Sequence, residues 1–343
     1  MNSKKVRFAI IGSGMISNFH ARAIEEIEKA ELVAVYDNVP EKAMDFAEKK
    51  GITVYSDLDE MLKSGDIDAV SICTPSGLHT PQALKCIEHG KHVVCEKPMS
   101  LTLEEADQLI EAAEKAGILV CVISQFRFSP AVQEIRKAID AGAFGNIVSG
   151  SLSMKYYRSD AYYASAGWRG TWNMDGGGAL MNQGIHGIDM YRYLMGPVAS
   201  LTAIACTQTR NIEVEDSAVA ILQFENGAVG TIEGSTTCYP GYPRRLEICG
   251  DKGSVVLEED SIMRWDLEIP CGLPVGKQAE NVASSDPGAI NVSGHVYQIQ
   301  NFVNGVLYGE PLLNDAKNGR LPLEIILGIY ESSKEGKTVY PGK

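Results

Sequence analysis

The stretch Val6-Arg7-Phe8-Ala9-Ile10-Ile11-Gly12-Ser13-Gly14-Met15-Ile16-Ser17 decides the fold class: a short β-rich run passes without a break into a glycine-rich turn. Beyond it, Ile16, His20, Ala23, Ile24 and Ile27 recur at three- and four-residue spacing, the period of a helix with one apolar face. Strand, glycine turn and helix in that order place backbone N–H groups at a helix N-terminus, where the helix dipole adds to their attraction for a diphosphate. Gly12 permits the tight turn and Gly14 lets a ligand approach the backbone, with Met15 and Ile16 counted in the same cradle. Ser17 stands where a third Gly or Ala is usual.

Working outward, β-rich runs alternate with helix-patterned segments as far as Ile123, the signature of parallel βαβ units. Strands are expected at 6–11, 32–36, 53–55, 69–73, 92–95 and 118–123. Pro40 and Thr102-x-x-Glu105 read as helix starts, Gly51 and Gly117 as stops, and Ser129-Pro130 opens a further helix that Gly142 ends. Asp37 closes the second strand about 20 residues past the glycine turn, where a carboxylate accepts hydrogen bonds from both hydroxyls of an adenosine ribose. The following Asn38-Val39-Pro40 offers no arginine to hold a 2′-phosphate, so NAD is expected over NADP. The competing reading of Asp37 is an N-cap for the helix after Pro40.

After about Gly145 the pattern changes. Val148, Gly150, Leu152, Met154 and Tyr156 alternate along a strand, and Asp216 to Thr236 holds two such runs joined at Asn226-Gly227, which suits a tight hairpin. A second hairpin turn is expected at Gly250-Asp251-Lys252-Gly253, a helix beyond the glycines between Asp175 and Leu194, and a last helix from Pro322 to Ser333. The 343 residues suggest two domains, 1–125 and 126–343.

Composition limits the partners. With 45% hydrophobic and 22% charged residues the chain is an ordinary globular one, and 44 acidic against 31 basic residues give a net charge of −13. Such a charge repels nucleic acid and anionic lipid, leaving a small molecule as the expected partner. The eight cysteines form no C-x-x-C pair, so neither a zinc site nor a disulfide framework is expected, and no metal-ligand cluster is read elsewhere. The apolar run after Met1-Asn2-Ser3-Lys4-Lys5 is too short for a signal-peptide core, and the longest apolar run, Ile118 to Ile123, is too short for a membrane span, so a cytoplasmic location is expected.

Four pieces in order resemble the Gfo/Idh/MocA family of NAD(P)-dependent sugar and inositol oxidoreductases: Ala9-Ile10-Ile11-Gly12-Ser13-Gly14; Cys73-Thr74-Pro75 with His79; Glu96-Lys97-Pro98; and Gly176-Gly177-Gly178 running to Asn182-Gln183-Gly184-Ile185-His186 and Asp189. The resemblance spans nearly the whole chain. It implies an N-terminal Rossmann dinucleotide-binding domain and a C-terminal α/β domain with a large open antiparallel sheet. That sheet supports a homo-oligomer, a dimer or tetramer. Tyr157-Arg158 and Gly167-Trp168-Arg169-Gly170-Thr171-Trp172 look most similar to members acting on nucleotide-linked amino-sugar uronates and to sugar 3-dehydrogenases.

Oxidising a secondary alcohol needs a group to take the hydroxyl proton. Lys97 is the first choice: it ends a strand of the parallel sheet, at the edge where such sheets bind ligands, and partial burial there favours the neutral amine. His186 shares the proton or hydrogen-bonds the reacting oxygen. Many relatives carry Asp one turn before this histidine, but here the position is Asn182, which shifts weight to Lys97 and leaves Asn182 to bind a hydroxyl. The resemblance further implies cofactor contacts from Thr74, Pro75, His79, Glu96, Lys97, Trp168 and Arg169. For the substrate it points to Arg127, Tyr157, Arg158, Tyr163 and Gln183, each with a packing or salt-bridge role as its plain alternative, and Asp189 reads as an anchor. Two rival functions stand beside the dehydrogenase: a glycosidase working through transient C3 oxidation, and a non-catalytic NAD-binding sensor.

Overall fold

The computed structural model describes residues 4–276 and 292–342, so Met1, Asn2 and Ser3 of the N-terminal reading lie outside it. The chain forms β1(Val6–Ile11), α1(Met15–Glu25), β2(Ala30–Tyr36), α2(Pro40–Lys50), β3(Thr53–Tyr55), α3(Leu58–Lys63), β4(Ala69–Ile72), α4(His79–Glu88), β5(His92–Cys95), α5(Leu103–Ala116), β6(Val120–Val122) and α6(Pro130–Asp140). It continues through β7(Ile147–Lys155), α7(Asp160–Ala164), a π-helix (Ala179–Gly184), α8(Ile185–Met195), β8(Val198–Cys206), β9(Ser217–Phe224), β10(Val229–Ser235), β11(Arg245–Gly250), β12(Ser254–Glu258), β13(Ser261–Asp266), α9(Ser293–Tyr308) and α10(Ala316–Glu335).

The described residues divide into two compact units. The first holds the parallel sheet, in the order β3-β2-β1-β4-β5-β6. Its order reverses between β1 and β4, the crevice where doubly wound sheets take their ligands. Local signals explain the elements well. The side chain of Thr102 accepts from Glu105 N–H at 3.2 Å while Glu105 reaches back to Leu101 N–H, and Gly117 ends α5 in the left-handed conformation.

The expected second domain, 126–343, needs a correction, because residues 292–320 belong to the first unit. The apolar face of α9 is the cause. Ile299, Phe302 and Val303 are fully buried in one cluster with Phe8, Ile24 and Val94, and the Phe8 and Phe302 rings lie 5.9 Å apart. At roughly 1.5–3 kcal/mol per large apolar side chain, that face holds α9 to the sheet whatever its place in the sequence.

The second unit carries a seven-stranded sheet, β13-β12-β11-β7-β10-β9-β8. It is antiparallel except at β7 and β10, which pair in parallel with Ser149 opposite Val229. The Asn226-Gly227 and Gly250-to-Gly253 turns join β9 to β10 and β11 to β12. Alternation sends Leu152 and Met154 under the sheet, but Val148 is 53% exposed. The last helix starts at Ala316 rather than at Pro322, because Asp315 accepts from Asn318 N–H and supplies the cap. No helix among the described residues is long and apolar enough to cross a membrane.

Candidate active site

In the first unit, β1 ends at Gly12, whose φ of +90° belongs to glycine and whose added Cβ would lie 2.8 Å from the Cys73 carbonyl oxygen. Gly14 caps α1 with no side-chain hydrogen bond, and a Cβ built on it meets nothing within 4 Å. No side chain caps the first turn of α1, as an anion cradle at a helix N-terminus requires. Ser17 fits the place of the third glycine because its hydroxyl, buried, donates to the Gly14 carbonyl at 2.6 Å. Of the helix-start pair, Met15 is 52% exposed, while Ile16 packs on the core beside Ile10 and Val35.

Asp37 does not cap α2, whose N-cap is Val39. It latches the glycine turn instead: one carboxylate oxygen accepts from Ser13 N–H at 2.7 Å and from the Ser13 hydroxyl at 2.8 Å, and the other from Val39 N–H at 2.9 Å. A carboxylate fixed at the end of β2 beside the cradle suits ribose hydroxyls and opposes a 2′-phosphate.

Glu96-Lys97-Pro98 leaves the C-terminal end of β5, and buried imidazoles grip it from both sides. His79 contacts the Pro98 carbonyl at 2.6 Å and the Thr74 carbonyl at 2.9 Å; burial holds its ring below the usual pKa, although both carbonyls favour protonation. Glu96 accepts from His20 Nε2 at 2.9 Å and from Lys97 N–H at 3.1 Å. Burial opposes charge on both partners, yet the pair prevails: contact with Cys73 and Glu96 raises His20 to about 10, and His20 keeps Glu96 well below the carboxylate range. Thr74, just past β4 with Pro75, donates to Gln82. His79, Glu96 and Thr74 thus support the loop, and Lys97 is its half-buried amine-bearing residue.

His295 of α9 joins that group. Its Nε2 lies 3.9 Å from Glu96 Oε1, and burial with the His20 charge lowers its pKa to about 4. The absence of a metal-ligand cluster from the sequence reading is therefore revised: ligand atoms of His20, Glu96 and His295 lie within 4.8 Å of one another. A His20–Glu96 hydrogen bond already occupies this trio, which accounts for it as a charge pair.

In the second unit, one polar network ties the expected substrate residues together. Asn182 Nδ2 donates to Asp175, Asn182 Oδ1 accepts from Gln183 Nε2 at 2.7 Å, and the same Nε2 donates to the Tyr162 hydroxyl at 2.7 Å. Gln183 Oε1 accepts from Arg158 Nε at 2.9 Å, and Arg169 donates to Tyr162 with its guanidinium 4.3 Å from that ring and 4.7 Å from Trp168. Arg158 is buried, and its Nη1 also donates to the Tyr157 carbonyl at 2.8 Å. Tyr163 bonds Thr236 at 2.9 Å, with burial pushing its hydroxyl up to about 12, and Tyr157 packs edge-on against Tyr239. His186, in the first turn of α8, has its ring 5.3 Å from Phe126.

Arg127 forms the salt bridge that stood as the alternative to a substrate contact. It is 1% exposed and grips Asp189 with two hydrogen bonds, at 2.7 and 2.6 Å. Sequence reasoning missed Tyr162, Asp175, His20 and His295. Only Asp175 carried a hint, lying directly before the glycine run.

Residues 6–124 match a family model described as oxidoreductase family, NAD-binding Rossmann fold, and residues 132–256 match the Gfo/Idh/MocA C-terminal domain. The scyllo-inositol 2-dehydrogenase (NAD(+)) of Bacillus subtilis (strain 168) is 31% identical over 262 residues, 74% of each chain. This chain belongs to the Gfo/Idh/MocA family. It is an NAD-dependent dehydrogenase of the kind that acts on CH–OH donors. D-glucoside 3-dehydrogenase of Escherichia coli (strain K12) is 27% identical, covering 99% of this chain and 98% of its own. WlbA dehydrogenase from Bordetella pertussis, solved with NADH and UDP-GlcNAcA, matches with a TM-score of 0.88 at 33% identity, over 98% of this chain and 99% of that one. NAD, the Gfo/Idh/MocA cofactor, fits the open amide cradle at Gly14 and the carboxylate of Asp37.

Proposed function

We propose that the protein oxidises a secondary alcohol of a nucleotide-linked amino-sugar uronate, with Lys97 as the acid–base group. The observation that carries this reading is the position of Lys97, which leaves a central strand of the parallel sheet on a loop clamped by His20 and His79. Bound NAD supplies the hydride acceptor. The chain's own residues do the rest: the Gly12–Ile16 cradle and Asp37 hold the dinucleotide, and Lys97 Nζ takes the hydroxyl proton. Asn182, Gln183, Tyr163 and His186 hydrogen-bond sugar oxygens. Thr74, Pro75, Trp168 and Arg169 border the cofactor. Likeness to WlbA over the full chain supports a nucleotide-linked substrate, and Arg169, stacked between two aromatic rings, suits an anionic group.

Two measurements test this. Steady-state kinetics are expected to give a kcat/KM at least tenfold higher for a UDP-linked uronate than for the free sugar; equal values refute the nucleotide part. Titration is expected to give a lower Kd for NAD than for NADP, because Asp37 opposes the extra phosphate, and tighter NADP binding refutes the assigned role of Asp37.

A homo-oligomer, a dimer or tetramer, is proposed on the open sheet of the second unit. The sheet exposes Val148, Ile204, Val219, Ile221 and Val229, each more than half exposed, around a concavity of about 830 Å³. An apolar face of that kind needs cover. Light scattering at micromolar concentration is expected to show a multimer, and a monomer overturns the proposal.

A further inference from the structure

Glu215 is buried just before β9, outside every role assigned so far. One of its oxygens accepts from Gly178 N–H at 2.9 Å; the other accepts from Leu180 N–H and the Tyr330 hydroxyl, both at 2.8 Å. Its own carbonyl accepts from Ala179 N–H at 3.0 Å. Four bonds thus converge on Glu215, three of them from the start of the π-helix that carries Asn182 and Gln183. The glycines preceding that helix are shaped to this contact. A Cβ on Gly178 would lie 2.0 Å from the Glu215 carbonyl oxygen, and one on Gly177 would lie 2.2 Å from the Tyr330 hydroxyl oxygen. The glycine run therefore serves the close approach of Glu215 and Tyr330.

We propose that Glu215, braced by Tyr330, is a positioning residue that holds the π-helix so that Asn182 and Gln183 present their amides to the sugar. This rests on the substrate role proposed for those two residues. In its ionised form Glu215 accepts all three side-chain-directed bonds. Once protonated it must place a hydrogen on an oxygen that already faces a donor, and the clamp loosens. Burial raises its pKa to about 7, opposed by the two amides and Tyr330, so the change falls in the working range. The titratable groups around it are Tyr330 from α10, Tyr163 from α7 and, acting on both tyrosines, Asp175. The sign for stability is the reverse of the sign for positioning. A folded pKa above the unfolded value of 4.5 means the neutral form stabilises the fold, and that contribution is lost as pH rises to about 7.

The test uses the full chain with Glu215→Gln and Tyr330→Phe. Amide exchange in a peptide covering residues 176–184 is read against pH together with kcat/KM. The parent is expected to lose protection there and lose kcat/KM as pH falls through about 7. Glu215→Gln is expected to cost ~10–10²-fold in kcat/KM with a flattened limb, and unchanged NAD affinity. Tyr330→Phe removes a bond that lowers the Glu215 pKa, so it is expected to move both limbs to higher pH, a shift that a merely structural tyrosine would not cause. Altered exchange with an unmoved kinetic limb overturns the positioning role. If the parent turns over no sugar, the functional reading fails on its own, and the exchange limb decides the clamp: a shift in Tyr330→Phe supports it, and a fixed limb overturns it.

Discussion

Lys97→Met is expected to lower turnover by ~10²–10⁴-fold, the usual loss when a general acid–base group is removed, with NAD affinity changed by no more than a few-fold. The fold should survive, since Lys97 is half-buried and its loop is held by its neighbours: Glu96 by His20, and the Pro98 carbonyl by His79. His186→Ala is expected to cost less. In this chain the residue one turn before His186 is an amide, so no carboxylate at that position stabilises a protonated imidazole. Restoring the carboxylate with Asn182→Asp is less simple than the sequence alone suggests. Asn182 Nδ2 donates to Asp175, so the substitution sets two carboxyl groups against each other and one of them must hold a proton. Saturating NAD with one confirmed substrate separates the variants. Retained activity in Lys97→Met with abolished activity in His186→Ala would make the imidazole the base.

The largest stability effect is expected at Arg127. Arg127→Ala leaves the 2% exposed Asp189 carboxylate without its bidentate partner, and losing one member of a buried ion pair typically costs ~3–5 kcal/mol. Thermal unfolding of the variant should show a fall in Tm of many degrees. The double change Arg127→Met with Asp189→Leu is expected to recover much of that loss, because it removes both charges and their desolvation together. A fall in kcat/KM at unchanged Tm would return Arg127 to the substrate role.

The parts of the fold that were legible in the sequence are those decided over short distances. Strand, glycine turn and helix at Val6–Ser17 are neighbours in the chain, and the Asn226-Gly227 hairpin is fixed by its own turn. What stayed hidden depends on contacts between distant residues. Nothing local says that α9 returns to the first sheet or that His295 arrives beside Glu96. The Arg127–Asp189 pair was open for the same reason: a salt bridge and a substrate contact ask for the same residue types. The glycine run before Asn182 was legible as important, but its cause, the Glu215 carbonyl and the Tyr330 hydroxyl, comes from the segment before β9 and from α10.

The most direct test of the central claim is the absorbance of reduced nicotinamide when the protein and NAD meet a panel of inositols, free sugars and UDP-linked amino-sugar uronates. The account predicts a rise with at least one secondary alcohol, at a rate lowered ~10²–10⁴-fold in Lys97→Met. NAD that binds while no member of the panel reduces it, or a glycosidic bond that breaks with no net change in NAD, would contradict it.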